Sequence, residues 1–165
     1  MIADAFAPAQ WLKVACEQAA GSHDPHTQNG AVLVPVRAAY VAIGVNKVPR
    51  GILAAPDRLL RPAKYKYIEH AERAAIYAAA RYGTPTQSAT LYCPWFACTD
   101  CARAIILAGV KEVVGHVKPR GATPARWAAE ISQAEAMLRE AGVGLRWLAD
   151  DLGVTIRFDG EEMRL

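Results

Sequence analysis

A chain of 165 residues, 53% hydrophobic and 21% charged, is long enough to bury a core of its own and has the composition of an ordinary globular domain. A net charge of +3 admits an anionic ligand, but no long Lys/Arg run argues for a nucleic-acid tail. The apolar stretch AIILAGV at 104–110 falls far short of the roughly 20 residues of a membrane span, and the N-terminus has no basic lead and carries Asp4, so neither a span nor an export signal is expected.

Residues 1–165 read as one domain. Pro8 to Ala20 reads as a helix, with Trp11, Leu12 and Ala15 at core spacing. A turn-rich loop, GSHDPHTQNG, covers Gly21 to Gly30. Two β-like runs follow at 31–36 and 40–46, and their short link predicts an antiparallel hairpin. Pro35 favours an edge or a strand end. Residues 47–68 are irregular and polar, a length of loop that is usually functional. A helix from His70 to Tyr82 stops at Gly83. A strand spans 90–93, a helix runs from Thr99 to Leu107 with Gly109 as its stop, and a strand covers 111–117. Thr123 reads as an N-cap with Pro124 at the first helical position of a helix reaching Glu140. Late strands are expected at 145–148 and 154–158. Strands alternating with helices predict an α/β fold, and the hairpin makes its sheet mixed.

Two short motifs carry the chemistry. His70 and Glu72 sit two apart at the front of an alanine-rich helix, a spacing that does not make a packing pair. Cys98 and Cys101 form a C-x-x-C pair at the start of another helix, where free N–H groups favour the thiolate. Each motif alone is weak. Together they open two helices, and the interval between them holds one helix, a turn and a return strand, which brings both helix starts to one sheet edge. One histidine and two cysteines make three ligands for a tetrahedral Zn2+ and leave one position open, as catalytic zinc sites do. Glu72 is then the spare acid, suited to moving protons. H-x-E followed by P-C-x-x-C is the mark of zinc nucleobase deaminases. A closed, structural zinc site would instead recruit Cys93 or His116 as a fourth ligand. Without an export signal the expected setting is a reducing cytoplasm, where four cysteines serve as ligands or buried thiols rather than disulfides. His23 and His26 have no spacing that makes a second metal site with Cys16.

Over roughly residues 22–142 the chain resembles the deoxycytidylate (dCMP) deaminases of the cytidine deaminase superfamily. The matching stretches are DPHTQNGAVLV, GVNKVPRG, KYKYIEHAERAAI, YCPWFACTDCARAIILAGVKEVV and MLREAGV, all collinear. The resemblance implies a three-layer α/β/α fold with a mixed sheet of about five strands. It implies His70, Cys98 and Cys101 as zinc ligands, Glu72 as proton shuttle, and Asn46 and Ala71 as substrate contacts. It also implies a small nucleotide substrate and a homo-oligomer, dimer or hexamer. The chain departs from the family pattern in places. Ala97 replaces the proline before the first cysteine, and Pro94 lies upstream. Val45-Asn46-Lys47 replaces Tyr-Asn-Gly. Asn29 stands where a small apolar residue is usual, and could read a different base edge or substituent. Trp95 and Phe96 make the cysteine loop aromatic, with core packing the commoner role for such residues. The tail from Gly144 has no assigned role.

A nucleotide needs a phosphate partner. Lys47 and Arg50, on the loop after Asn46, are the candidates, while the cations at 58–66 read as a solvated loop. The expected reaction is hydrolytic deamination of dCMP to dUMP. The alternatives are a modified pyrimidine nucleotide as substrate, or a tRNA or single-stranded DNA base, for which the Tyr65/Tyr67/Lys stretch is the one hint.

Overall fold

The computed structural model describes residues 6–37 and 40–165. The N-terminal lead-in (1–5) and the middle of the hairpin link (38 and 39) lie outside the described residues. Helix α1 (Pro8–Gln18) starts with proline at its first turn and ends in a 3-10 turn, Ala19–Gly21. Its stripe of Trp11, Leu12, Ala15 and Cys16 is buried, as the spacing predicts.

Five strands form one mixed sheet: β1 (Gly30–Val34), β2 (Ala42–Val45), β3 (Thr90–Tyr92), β4 (Glu112–His116) and β5 (Gly144–Leu148), in the order β2-β1-β3-β4-β5. β1 pairs antiparallel with β2 and with β3, and β3, β4 and β5 run parallel. β2 therefore points the same way as β3, so the connections leaving β2 and β3 emerge at one edge. Pro35 falls just past the end of β1, which is an interior strand, so it removes no ladder bond.

β1 is buried along its whole length because helices cover both sheet faces. Its alternation sorts the core. Ala31 and Leu33 join Leu91 and Val113 on the face covered by α4 (Ala71–Tyr82), α5 (Thr99–Leu107) and α7 (Ala125–Glu140). Val32 and Val34 join Tyr92 and Val114 on the face covered by α1. This is the three-layer α/β/α arrangement expected. α4 sits unusually close to the sheet: a Cβ on Gly44 would lie 2.1 Å from the Ala71 carbonyl oxygen. Glycine in β2 and alanines on α4 permit that approach.

Several local readings are corrected. The helix expected from His70 begins at Ala71, with His70 in the N-cap position. Thr123 is not the cap of α7. Pro124 takes that place, and the Thr123 hydroxyl is held by Trp95 and by the Arg120 carbonyl instead. The 47–68 segment contains two short helices, α2 (Pro56–Leu59) and α3 (Lys64–Tyr67), and a further one, α6 (Val117–Gly121), follows β4. The tail forms a separate hairpin of β6 (Thr155–Phe158) and β7 (Glu161–Arg164), whose Ile156, with Leu165 after β7, packs on α1.

Candidate active site

α4 and α5 both begin at the edge where β2 and β3 end. Their N-cap residues are His70 and Cys98, each with extended backbone (ψ 149° and 169°). An N-cap side chain ordinarily turns back onto its own helix. Here neither does: the two side chains face each other. His70 Nδ1 lies 3.4 Å from Cys98 Sγ and 3.5 Å from Cys101 Sγ, and the three ligand atoms lie within 4.8 Å of one another. A tetrahedral zinc with Zn–N about 2.0 Å and Zn–S about 2.3 Å sets its N and S ligands roughly 3.5 Å apart, so this donor set fits the ion. The i, i+2 spacing of His70 and Glu72 has its reason here. His70 is outside the helix and aims at the cysteines, while Glu72 is inside its first turn.

The thiols are prepared for a cation. Cys98 is pulled down to about 4, first by the hydrogen bond from Cys101 and then, against burial, by His70; Cys101, the donor, is pushed up. Without a metal the pair thus holds one negative charge, and a divalent cation favours ionising both. Arg73 stands behind the pair, bonded to Glu69 (2.6 Å) and Asp100 (3.2 Å). Burial would lower its pKa, but Cys101 and Glu69 hold it above the ordinary value. Burial of His70 acts downward, yet Cys98 and Glu72 raise it to about 8.

Glu72 is 3% exposed. Burial pushes its carboxyl up to about 7, opposed by His70 and reinforced by the Cys98 charge. A carboxyl with a pKa near 7 can take and release protons at neutral pH.

Both candidates for a closed fourth ligand are committed elsewhere. The Cys93 thiol is fully buried, donates to the Trp95 carbonyl (3.3 Å) and is pushed well above 9, chiefly by burial. His116 is fully buried, 3.0 Å from the Asp150 carbonyl through Nε2, with Nδ1 accepting from the Lys118 amide. Among the described residues the metal cluster is His70, Cys98 and Cys101 alone.

A pocket open to solvent lies over this corner. Its lining includes His70, Ala71, Glu72 and Cys98, together with Asn29 and Asn46. Asn46 is held from both ends: its Oδ1 accepts from the Asn29 amide (2.7 Å) and its Nδ2 donates to the Thr27 carbonyl (2.7 Å). Lys47 and Arg50 are exposed and lie outside this lining. Lys47 forms an isolated bridge with Glu69, which turns that loop along the surface.

Residues the sequence reading passed over complete the cavity. Arg61 and Lys64, read as solvated, line it; Lys64 is buried and paired with Asp24 (2.6 and 2.8 Å). Arg126 and Trp127, from the first turn of α7, form another wall. Trp127 meets Tyr65, His70 and Trp95 edge-on at 5.9, 6.3 and 6.2 Å between ring centroids. The two loop aromatics divide their roles. Phe96 is buried and stacks on Trp147 (4.4 Å, 6° between planes), whereas half-buried Trp95 faces Trp127 and Phe158. The C-terminal hairpin also acquires a role. It bonds the 22–29 loop through Gln28 to Arg157 (2.8 Å) and Gly160 to His26 (2.7 Å), and Asp159 at its turn pairs with Arg61 (3.1 Å) and Arg126.

An α/β/α layer structure with a three-ligand soft-metal corner and a buried acid beside it defines a zinc-hydrolase type of site. Comparison with known proteins makes this specific. A family profile described as the cytidine and deoxycytidylate deaminase zinc-binding region matches residues 7–117. An uncharacterized deaminase in the luxG 3' region of Aliivibrio fischeri is 32% identical over 79% of this chain and 86% of its own length. Human deoxycytidylate deaminase is 35% identical over 65% of this chain, and the match spans only 62% of the human protein. The fold resembles that of the dCMP deaminase of cyanophage S-TIM5, solved in complex with dCMP and dUMP: TM-score 0.66, 24% identity, 84% of this chain and 94% of that one. The chain belongs to the cytidine and deoxycytidylate deaminase family of zinc-dependent hydrolytic deaminases. No helix among the described residues is long and apolar enough to cross a membrane.

Proposed function

We propose that the chain deaminates a deoxycytidine nucleotide hydrolytically, converting dCMP and water to dUMP and ammonia. The observation that carries this reading is the buried Glu72 carboxyl, raised to about 7, beside a three-ligand cluster. His70, Cys98 and Cys101 would hold a zinc ion, which would supply the Lewis acidity that makes water a nucleophile near neutral pH. Glu72 takes a proton from the attacking water and passes it to N3 of the ring, which makes C4 electrophilic. Glu72 then takes the proton of the hydroxyl added at C4 and delivers it to the departing amine; as the C4–N4 bond breaks, the hydroxyl oxygen becomes the C4 carbonyl and ammonia leaves. Ala71, first residue of α4, has an amide N–H without an intrahelical partner and offers a donor for the pyrimidine carbonyl. Asn46 keeps one amide hydrogen beyond its bond to Thr27 for the sugar or base. Trp95 and Trp127 give the base apolar walls.

The nucleotide phosphate is assigned to Arg61 and Arg126. Two guanidiniums from separate elements share the single carboxylate of Asp159, which leaves a net positive charge at the cavity. Arginine suits a bidentate phosphate contact. Four free cysteines fit a reducing, cytoplasmic setting.

The test is ammonia release by the zinc-loaded protein from dCMP, dCTP, deoxycytidine, CMP, 5-methyl-dCMP and a cytosine-containing single strand. dCMP is expected to turn over fastest. Preference for 5-methyl-dCMP would shift the assignment to a modified nucleotide, and preference for the single strand to nucleic acid. Inertness of every substrate with zinc bound would end the reading.

A further inference from the structure

One buried polar atom at the base corner has no use in the chemistry described so far. Asn29, the residue before β1, is 7% exposed and lines the cavity. Nearly every polar group it carries is engaged. Its amide N–H donates to Asn46 Oδ1 (2.7 Å), and its carbonyl accepts from the Asn46 amide (3.1 Å). Its side-chain Nδ2 donates to the Trp95 carbonyl (2.7 Å) and lies 3.3 Å from Cys93 Sγ. Only Oδ1 has no hydrogen-bond partner among the described residues. The orientation of the amide is determined by its surroundings: rotating it would set Oδ1 against the Trp95 carbonyl oxygen, two acceptors face to face. The other unpartnered buried side-chain atoms, on Trp11, His26 and Arg146, belong to residues outside the cavity lining. Oδ1 is thus the one fully buried side-chain acceptor without a partner among the described residues that line the pocket.

Asn29 also stands close to the reacting end of the pocket. It touches Cys93, whose thiol feels the charge of Glu72. The Trp95 carbonyl, an acceptor in the same corner, is already taken by Asn29 Nδ2 and by the Cys93 thiol.

Resting on the deaminase reading above, we infer that Asn29 is a specificity-determining residue whose Oδ1 accepts a hydrogen bond from the exocyclic amino group of the base. The reaction exchanges that amine, a donor, for a carbonyl, an acceptor. Oδ1 therefore holds the substrate and repels the product, which favours release of dUMP. A small apolar residue at this position lacks that discrimination.

The experiment measures binding without turnover. dCMP and dUMP are titrated calorimetrically into zinc-loaded Glu72→Ala protein, with Asn29 intact and with the isosteric pair Asn29→Val and Asn29→Thr. Melting temperature and zinc content are recorded for each. With Asn29 intact, dCMP binds roughly tenfold more tightly than dUMP, the scale of one hydrogen bond gained in one case and an unpaired acceptor in the other. Asn29→Val brings the ratio close to one, and Asn29→Thr, which keeps an acceptor in the same shape, restores part of it. An unchanged ratio in folded Asn29→Val overturns the inference. If neither variant folds, equal affinities for dCMP and dUMP with Asn29 intact overturn it as well. Failure of the broader reading looks different: the wild-type protein then releases no ammonia and binds neither nucleotide.

Discussion

Gly44→Ala probes how the catalytic corner is held. An ideal Cβ at this position falls 2.1 Å from the Ala71 carbonyl oxygen and 2.3 Å from the Ala75 amide nitrogen. Non-bonded contacts of this kind settle at about 3.5 Å, so one partner must retreat by more than about 1 Å. Both partners are backbone atoms of α4, and no side-chain rotation relieves the clash. Overpacking of this kind costs about 1–3 kcal/mol, and at about 2–4 °C per kcal/mol for a chain of this size the melting temperature drops by several degrees. The functional cost is larger. The start of α4 carries His70, Ala71 and Glu72, and a displacement of about 1 Å at a reacting group costs on the order of 10²-fold in rate. Thermal denaturation and kcat/KM for dCMP, measured on the same zinc-loaded preparations, read both effects. A variant with unchanged melting temperature and activity within about twofold of wild type would show that α4 does not depend on this close approach.

Other perturbations separate the remaining parts. Cys101→Ser removes one of three ligands, so the protein is expected to lose bound zinc on dialysis and to melt at lower temperature; full zinc retention would count against the ligand set. Arg126→Ala is expected to raise KM for dCMP about tenfold or more while leaving deoxycytidine unaffected, and an equal effect on both would remove the phosphate role. Glu135 tests the electrostatics of α7. Its burial acts upward on the pKa, but hydrogen bonds from Arg120 (3.1 Å) and Arg139 (2.8 Å) hold the carboxyl below its ordinary 4.5. A carboxyl held low stabilises the fold fully above its unfolded pKa, and that contribution disappears as pH falls through the lower folded value. Glu135→Gln should therefore be less stable than wild type at pH 7, with the gap closing below pH 4.5; a gap constant with pH would argue against the linkage.

The candidate metal corner was legible because its signals are local. His70, Glu72, Cys98 and Cys101 each sit at a helix start marked by composition and spacing, and the intervening strand and helix were readable by period. β1 and β2 were equally plain as apolar runs. β7 was not. Its residues Glu161, Glu162 and Arg164 are exposed, and it is held by backbone pairing to β6, so no alternation betrays it. The four-residue α2 and α3 are too short to carry a helical period. The walls of the pocket were hidden for a different reason. Arg126 and Trp127 occupy ordinary positions in an amphipathic helix, and only the packing of α7 turns Trp127 toward His70 and Arg126 toward Asp159. Asp159 reaches Arg61 and Arg126 across the whole fold, a pairing that no local pattern encodes.

The proposed role of Glu72 is to move the protons of a zinc-dependent deamination. Its most direct measurement is conversion of dCMP to dUMP by wild type and Glu72→Ala, with zinc content determined on both. Wild type is expected to turn over dCMP, and Glu72→Ala to retain its zinc and its fold but to be slower by about 10²–10⁴-fold. A zinc-loaded Glu72→Ala protein that turns over dCMP at close to the wild-type rate would contradict that role.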